Sequence, residues 1–296
     1  MQLKKPLSFV EQIEMLISHG MIISDKQYAE DVLNKINYYR FTGYCIHLRK
    51  SPRDSSFVAG TEFYTVHKIS MFDDEIRNIL RQYIEKIEVF SRTQISYTFA
   101  VNKCLRPPHD QHYDEGNFYN KEGYRQVMES IKRESEYHKD NLIVKHHKNK
   151  YKNKMPLWAL VELMSFSNLS KLYNSMYVSE RSKIADSFNV SPNTLTNHLH
   201  CLSVLRNKCS HAARLYNTKM YPSARFSRNF FRRNPEFKNN SLFSYILVLV
   251  RRLPDDDLKA SLVQEILQLI EKYYSFIDLN LIGFPSNYKE LLSNEI

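Results

Sequence analysis

Apolar side chains recur at three- and four-residue steps along most of this chain, the spacing that places them on one face of an α-helix. The longest such run, Thr61 to about Asn102, carries Val66, Ile69, Phe72, Ile76, Leu80, Tyr83, Ile87 and then Phe90 or Ser91 on its stripe, with no glycine or proline to interrupt it. A helix of that length must be packed along its extent, because isolated helices gain little from propensity alone. A second long helix is predicted over Ser191–Asn217. Ser191 can accept an orphan backbone N–H, Pro192 suits the first helical position, and Leu195, Leu199, Leu202, Leu205 and Cys209 form the core face.

Shorter helices are predicted around these two. Residues 8–20 begin with a serine cap, carry Glu11 three positions later and end at Gly20. Another runs from Ser24 toward Tyr38, with Tyr28, Val32 and Ile36 on one face. Further helices are predicted over 124–148, from Met155 through Tyr173, over 241–253 and over about 255–276, the last opening on Asp255, Asp256 and Asp257, a favourable first turn. Residues 51–60 and 104–123 read as loops, and periodicity is lost between Thr218 and Asn240. Only 6 glycines occur and none lies between Gly123 and Gly283, too few for the turns of a β protein. The expected fold is all-α: an N-terminal helical lobe over 1–60 and a helical domain over 61–296, without internal repeats.

The net charge of +10 and pI near 9.2 favour a polyanionic partner, nucleic acid before an anionic membrane surface. The N-terminus MQLKKPLSFVEQIEM has acidic residues where a signal peptide needs its apolar core, and the most apolar run, Tyr245–Val250, is far too short to span a bilayer. A cytoplasmic protein without a membrane partner is expected. The four cysteines form no CxxC pair. Cys201 and Cys209 share a helix face near His198 and His200, but helix-face cysteines are commonly small core residues, so neither a metal nor another cofactor is expected.

Basic residues cluster in two stretches. VKHHKNKYKNK, with Lys145 and Lys148, has no acidic residue between Asp140 and Glu162, and is either a solvated surface or a polyanion contact. Between 218 and 240, Arg225, Arg228, Arg232, Arg233 and Lys238 alternate with Phe226, Phe230, Phe231 and Phe237. That alternation suits single-stranded RNA, guanidinium on phosphate and ring on base; equally, the phenylalanines can simply tuck into the core. The cluster Tyr38, Tyr39, Phe41 and Tyr44 beside Arg40 reads as a packed connector rather than a base platform. Arg92 stands among apolar neighbours in VFSRTQISY, so it needs an anionic partner: a carboxylate such as Glu88, or a phosphate.

Arg206-Asn207-Lys208-Cys209-Ser210-His211 is an R-x4-H pattern. A histidine near neutrality can take the proton of a ribose 2′-hydroxyl or return one to the leaving oxygen, and an arginine can hold the phosphate as charge develops. The same pattern at Arg133–His138 is a decoy, because Glu134 and Glu136 repel phosphate. At about 100° per residue, Asn207, His211 and Arg214 share a face while Arg206 and His211 diverge by roughly 140°. The pair therefore needs either an unwound last turn or a second copy of the helix across a dimer. The competing reading has His211 and Arg214 merely capping the helix. RSKIADSFNVSPNTLTNHL also reads as a helix-turn-helix for DNA, weakened by a second helix that continues into a buried stripe.

KPLSFVEQIEMLISHGMII, INYYRFTGY, IEKIEVFSRTQISY, MPLWALVELMSFSNLSKLY and LHCLSVLRNKCSHAARLYN together resemble the AbiD/AbiF-type abortive-infection proteins of the HEPN superfamily. The resemblance implies a HEPN-like helical bundle with an N-terminal extension and additional C-terminal helices. It also implies a homodimer whose R-x4-H motifs build a composite, metal-independent endoribonuclease site, within a phage-defence toxin controlled by a cognate noncoding RNA. It places Arg206, Asn207 and His211 at the catalytic positions; Arg92, Lys208, Arg214, Arg225, Arg228, Arg232, Arg233, Lys145 and Lys148 are the candidate RNA contacts. Some proteins of that superfamily bind RNA without cutting it. The chain departs from the family pattern at Ala212, where a second histidine is expected, and at His198, where a tryptophan is common.

Overall fold

The computed structural model of the chain describes residues 5–152 and 154–296. The first four residues of the N-terminal stretch and Asn153 of the basic run lie outside them. Fourteen α-helices follow in order among the described residues: α1 (Phe9–Ser18), α2 (Lys26–Lys35), α3 (Tyr38–Tyr44), α4 (Phe63–Lys103), α5 (Lys121–Tyr137), α6 (Leu142–Tyr151), α7 (Leu157–Leu160), α8 (Phe166–Ser175), α9 (Val178–Asp186), α10 (Pro192–Ser210), α11 (Arg228–Arg233), α12 (Leu242–Arg252), α13 (Asp256–Tyr273) and α14 (Tyr288–Ser293). Extended backbone forms only isolated bridges among those residues, so the fold is all-α. No helix there is long and apolar enough to cross a membrane.

The axis is α4, 41 residues or about 60 Å long. Its predicted stripe is buried from Val66 through Ile87. It packs against α13, α10, α12, α9, α7 and α3. The apolar run that is too short for a bilayer is α12, whose residues from Leu242 to Val250 are all solvent-excluded. A helix apolar all round belongs at the centre, and α12 lies against α10, α4 and α13. Phe41 of α3 stacks on Phe63 at the start of α4, ring centroids 4.4 Å apart, within the same continuous core.

Two expected helices are interrupted, each time where a polar side chain supplies a competing cap. The run over 124–148 is two helices, because Asn141 caps α6 by accepting from Ile143 N–H. The run from Met155 breaks before α8, where Ser165 accepts from Asn168 N–H. The 218–240 stretch contains α11, capped by Ser227. Its phenylalanines pack on one another and on Phe243, with the Arg251 guanidinium over Phe226 and Phe230, so the rings tuck inward while Arg228, Arg232 and Arg233 stay exposed.

The helix predicted to Asn217 stops at Ser210, and this corrects the shared face expected for Asn207, His211 and Arg214. The cause is a buried pair on α4. Asp73, fully excluded from solvent, accepts from Leu215 N–H at 3.1 Å, Tyr216 N–H at 2.7 Å and the Tyr44 hydroxyl at 2.8 Å, and is ion-paired to Arg77. Those two amides would otherwise have gone to the carbonyls of His211 and Ala212 in a continued helix. Of these carbonyls Ala212 O accepts from Arg40 at 2.5 Å, and the next one along, Ala213 O, accepts from Arg77 at 3.2 Å. Ala212 is left with a φ of 50°, the left-handed turn that ends many helices.

His198, the second departure from the family pattern, faces the core side of α10. Its Nε2 bonds to Arg225 O at 2.8 Å and anchors the following loop, while Nδ1 has no partner among the described residues. Burial pulls its pKa down from 6.5 to about 4. The unfolded chain therefore binds this proton between those values when the folded chain does not, so stability is complete above the unfolded pKa and falls on acidification through that window. The loss is on the order of 3 kcal/mol. Thermal melts of wild type and His198→Gln at a series of pH values check this, with a shallower acid slope expected for the variant.

Candidate functional site

The C-terminal end of α10 carries the candidate residues Arg206, Asn207 and His211, which face α4, α8 and solvent respectively. Arg206 is half-buried toward α4, its Nε 3.7 Å from Glu88 Oε2, and it also donates to Asn207 Oδ1 at 3.4 Å. Glu88 uses its other oxygen on Arg92, 2.5 Å from the guanidinium. Arg92 in turn donates to Met164 O at 2.9 Å and meets Glu162 at 3.3 Å. The carboxylate tie expected for Arg92 is thus present, and through Glu88 it reaches the motif arginine. These groups line a cleft of about 380 Å³ that also takes in Arg81, Glu85, Val89 and Ser210.

Glu88 sits between two guanidiniums and is itself almost buried. Glu88→Gln keeps the shape but removes the charge that holds both, so it should lower unfolding stability by about 1–3 kcal/mol. The same change raises the positive potential of the cleft, and phosphate affinity should rise rather than fall. Urea denaturation and an RNA titration on one preparation read the two opposite signs.

Asn207 donates from Nδ2 to Ser167 Oγ on α8 at 3.2 Å, a tie that fixes its carboxamide and that sequence spacing did not reveal. His211 is the C-cap residue; its backbone N–H closes the last turn on Asn207 O at 3.0 Å. The imidazole is exposed and makes no hydrogen bond or ion pair among the described residues. By contrast, the decoy His138 lies 3.5 Å from Glu134. Lys208 is part-exposed in the last turn, and its carbonyl accepts from Ala213 N–H. Arg214 has left the helix, and one guanidinium nitrogen lies where a β-carbon on Gly43 of α3 would approach it at 3.6 Å.

The other candidate RNA contacts are spread over three elements. Arg225 is exposed in the loop after α10 and lines a groove beside that helix. Arg228, Arg232 and Arg233 lie on α11. Lys145 and Lys148 are exposed on α6, where Lys145 pairs with Asp140 at 3.0 Å. Cys201 and Cys209 are buried thiols whose pKa values burial pushes up to about 12. No group of three or more His, Cys, Asp or Glu side chains is gathered to hold a metal ion among the described residues. The residues that sequence reasoning missed are Asp73 and Arg77. Their signal was present as two charges four apart, between Phe72 and Leu80 on an otherwise apolar stripe.

Residues 31–217 match the family model described as Abi-like protein, a span that runs from within α2 to just beyond the segment pinned by Asp73. No curated protein and no solved structure matches the chain.

Proposed function

Since the chain belongs to the family of Abi-like proteins, we propose that it is an abortive-infection toxin that binds RNA and cleaves it as an endoribonuclease of the HEPN type. The observation that carries this reading is the end of α10. Arg206 and Asn207 are held in place by Glu88 and Ser167, while His211 one turn later presents a free imidazole to solvent. A structural cap would have its ring committed to a carbonyl or carboxylate.

In the proposed reaction His211 removes the proton of a ribose 2′-hydroxyl. The 2′-oxygen attacks the adjacent phosphorus, the bond from phosphorus to the 5′-oxygen breaks, and that oxygen leaves with a proton from a second imidazole. Arg206 stabilises the charge on the non-bridging oxygens. Arg206 and Asn207 of one chain face α4 and α8 while His211 faces solvent, so in this proposal a homodimer supplies the convergence, with the partner subunit's His211 as the second imidazole. A cognate noncoding RNA would restrain such a toxin by occupying the same basic surface.

Glu88 on Arg206 favours a second reading, RNA binding without turnover, because the phosphate-holding guanidinium is already partnered. Purified protein incubated with RNA in excess EDTA separates the two. The proposal expects new ends bearing 2′,3′-cyclic phosphate and 5′-hydroxyl groups. Retention of intact RNA in the complex would support the binding module, and 5′-phosphate ends would contradict the chemistry.

A further inference from the structure

A groove of about 750 Å³ lies between α8 and α10, outside the Arg206–Glu88 cleft. Lys171 of α8, Arg181 of α9, His200 of α10 and Arg225 of the following loop line it, and no carboxylate does. Among the described residues, Lys171, Arg181 and Arg225 form no ion pair. Among those residues the Arg181 guanidinium donates to the Thr196 hydroxyl alone, at 3.4 Å, and its buried Nε has no partner. Cations gathered without a carboxylate repel one another, so the arrangement is stabilised when an anion enters.

The wall contributed by α10 is a single stripe. Asn193, Thr196, Asn197, His200 and Ser203 follow one another at helical spacing, and the next position on that stripe is Asn207. From Asn193 to Asn207 the stripe extends about 21 Å, room for several nucleotides in a row. At its far end Ser167 both lines the groove and receives the Asn207 hydrogen bond, so the groove runs into the R-x4-H motif. The lining contains hydroxyls, carboxamides and cations but no phenylalanine, tyrosine or tryptophan. Bases have nothing to stack on there, whereas phosphates and ribose hydroxyls meet donors throughout.

We infer that the α8–α10 groove is a backbone-reading subsite for single-stranded RNA, which grips sugar and phosphate without regard to sequence and leads the strand to Asn207 and His211. The inference rests on the RNA reading above and adds where the strand lies. It makes Lys171, Arg181 and His200 binding residues, and it separates them from α11, whose arginines stand outside the groove.

The test is fluorescence anisotropy of a short labelled single-stranded RNA, with every protein carrying His211→Ala so that the RNA stays intact. Lys171→Glu with Arg225→Glu should weaken binding at least tenfold, and the slope of log affinity against log salt should become shallower by about 1.4, two lost phosphate contacts. Asn193→Asp with His200→Glu, both exposed positions, should weaken binding as well, which guards against a folding defect in the first pair. Lys35→Glu with Lys289→Glu makes the same charge change at exposed positions outside the groove lining and should leave the affinity near that of the parent. If the parent binds RNA and both groove pairs bind it equally well, the subsite is overturned while RNA binding stands. If the parent binds no RNA even at low salt, the subsite and the RNA reading fall together.

Discussion

Asp73→Ala should lower the unfolding free energy by about 3–5 kcal/mol, the usual cost of leaving one member of a buried ion pair uncompensated. Total stabilities of domains are about 5–15 kcal/mol, so the loss is a large fraction of what the chain has. Three donors lose their acceptor at once: Leu215 N–H, Tyr216 N–H and the Tyr44 hydroxyl. Arg77, 4% exposed, is left against an empty site. Its remaining carboxylate contact, Asp74, is half exposed and screened by water. On the proposed reading the effect reaches function, because the same contacts set where α10 ends and hence how His211 is presented. Asp73→Asn tests the charge separately, since the amide keeps one acceptor oxygen but not the ion pair. Equilibrium urea unfolding measures both variants; a loss below about 1 kcal/mol for the alanine variant would mean that α10 stops for some other reason.

His211→Ala should leave stability unchanged and remove RNA cleavage by a factor of about 10²–10⁴, the contribution of a positioned general acid or base. The stability half follows from the exposed imidazole, which makes no hydrogen bond among the described residues. The pairing of these two outcomes matters more than either alone. A melting temperature that falls markedly with the ring removed would assign it to the helix end, as the capping reading holds. An unchanged melt with lost cleavage assigns it to chemistry.

The helices were legible in the sequence wherever one apolar stripe faces the core. Val66 to Ile87 along α4 and Leu195 to Leu205 along α10 needed nothing beyond periodicity, and both stripes are buried as that spacing implies. Helix ends were less legible, because an end depends on partners distant in sequence. Asn217 looked helical to its own neighbours, and only Asp73, some 140 residues earlier, takes the amides that would have continued the helix. Local caps at Asn141 and Ser165 were visible in principle, since both residue types accept from backbone amides, but periodicity read across them. At the site, the Arg92–Glu88 tie could be written down from the four-residue spacing. The Asn207–Ser167 bond and the carboxylate-free groove could not, because each joins separate helices whose register no single-sequence pattern sets. The alternation of arginine and phenylalanine after α10 illustrates the same limit. The sequence offers both the arginines and the rings to a strand, while the packing of Phe226, Phe230 and Phe237 on one another leaves the arginines exposed.

In the proposed function the R-x4-H motif at the end of α10 cuts RNA. Its most direct test is to express wild type, Arg206→Ala and His211→Ala in a bacterial host and map growth arrest and RNA ends from the same cultures. The proposed chemistry requires arrest and new RNA ends with wild type alone, all three proteins accumulating to similar levels. It is contradicted if the three cultures grow alike and their RNA ends match while each protein still co-purifies with RNA, for then the motif holds RNA and does not cleave it.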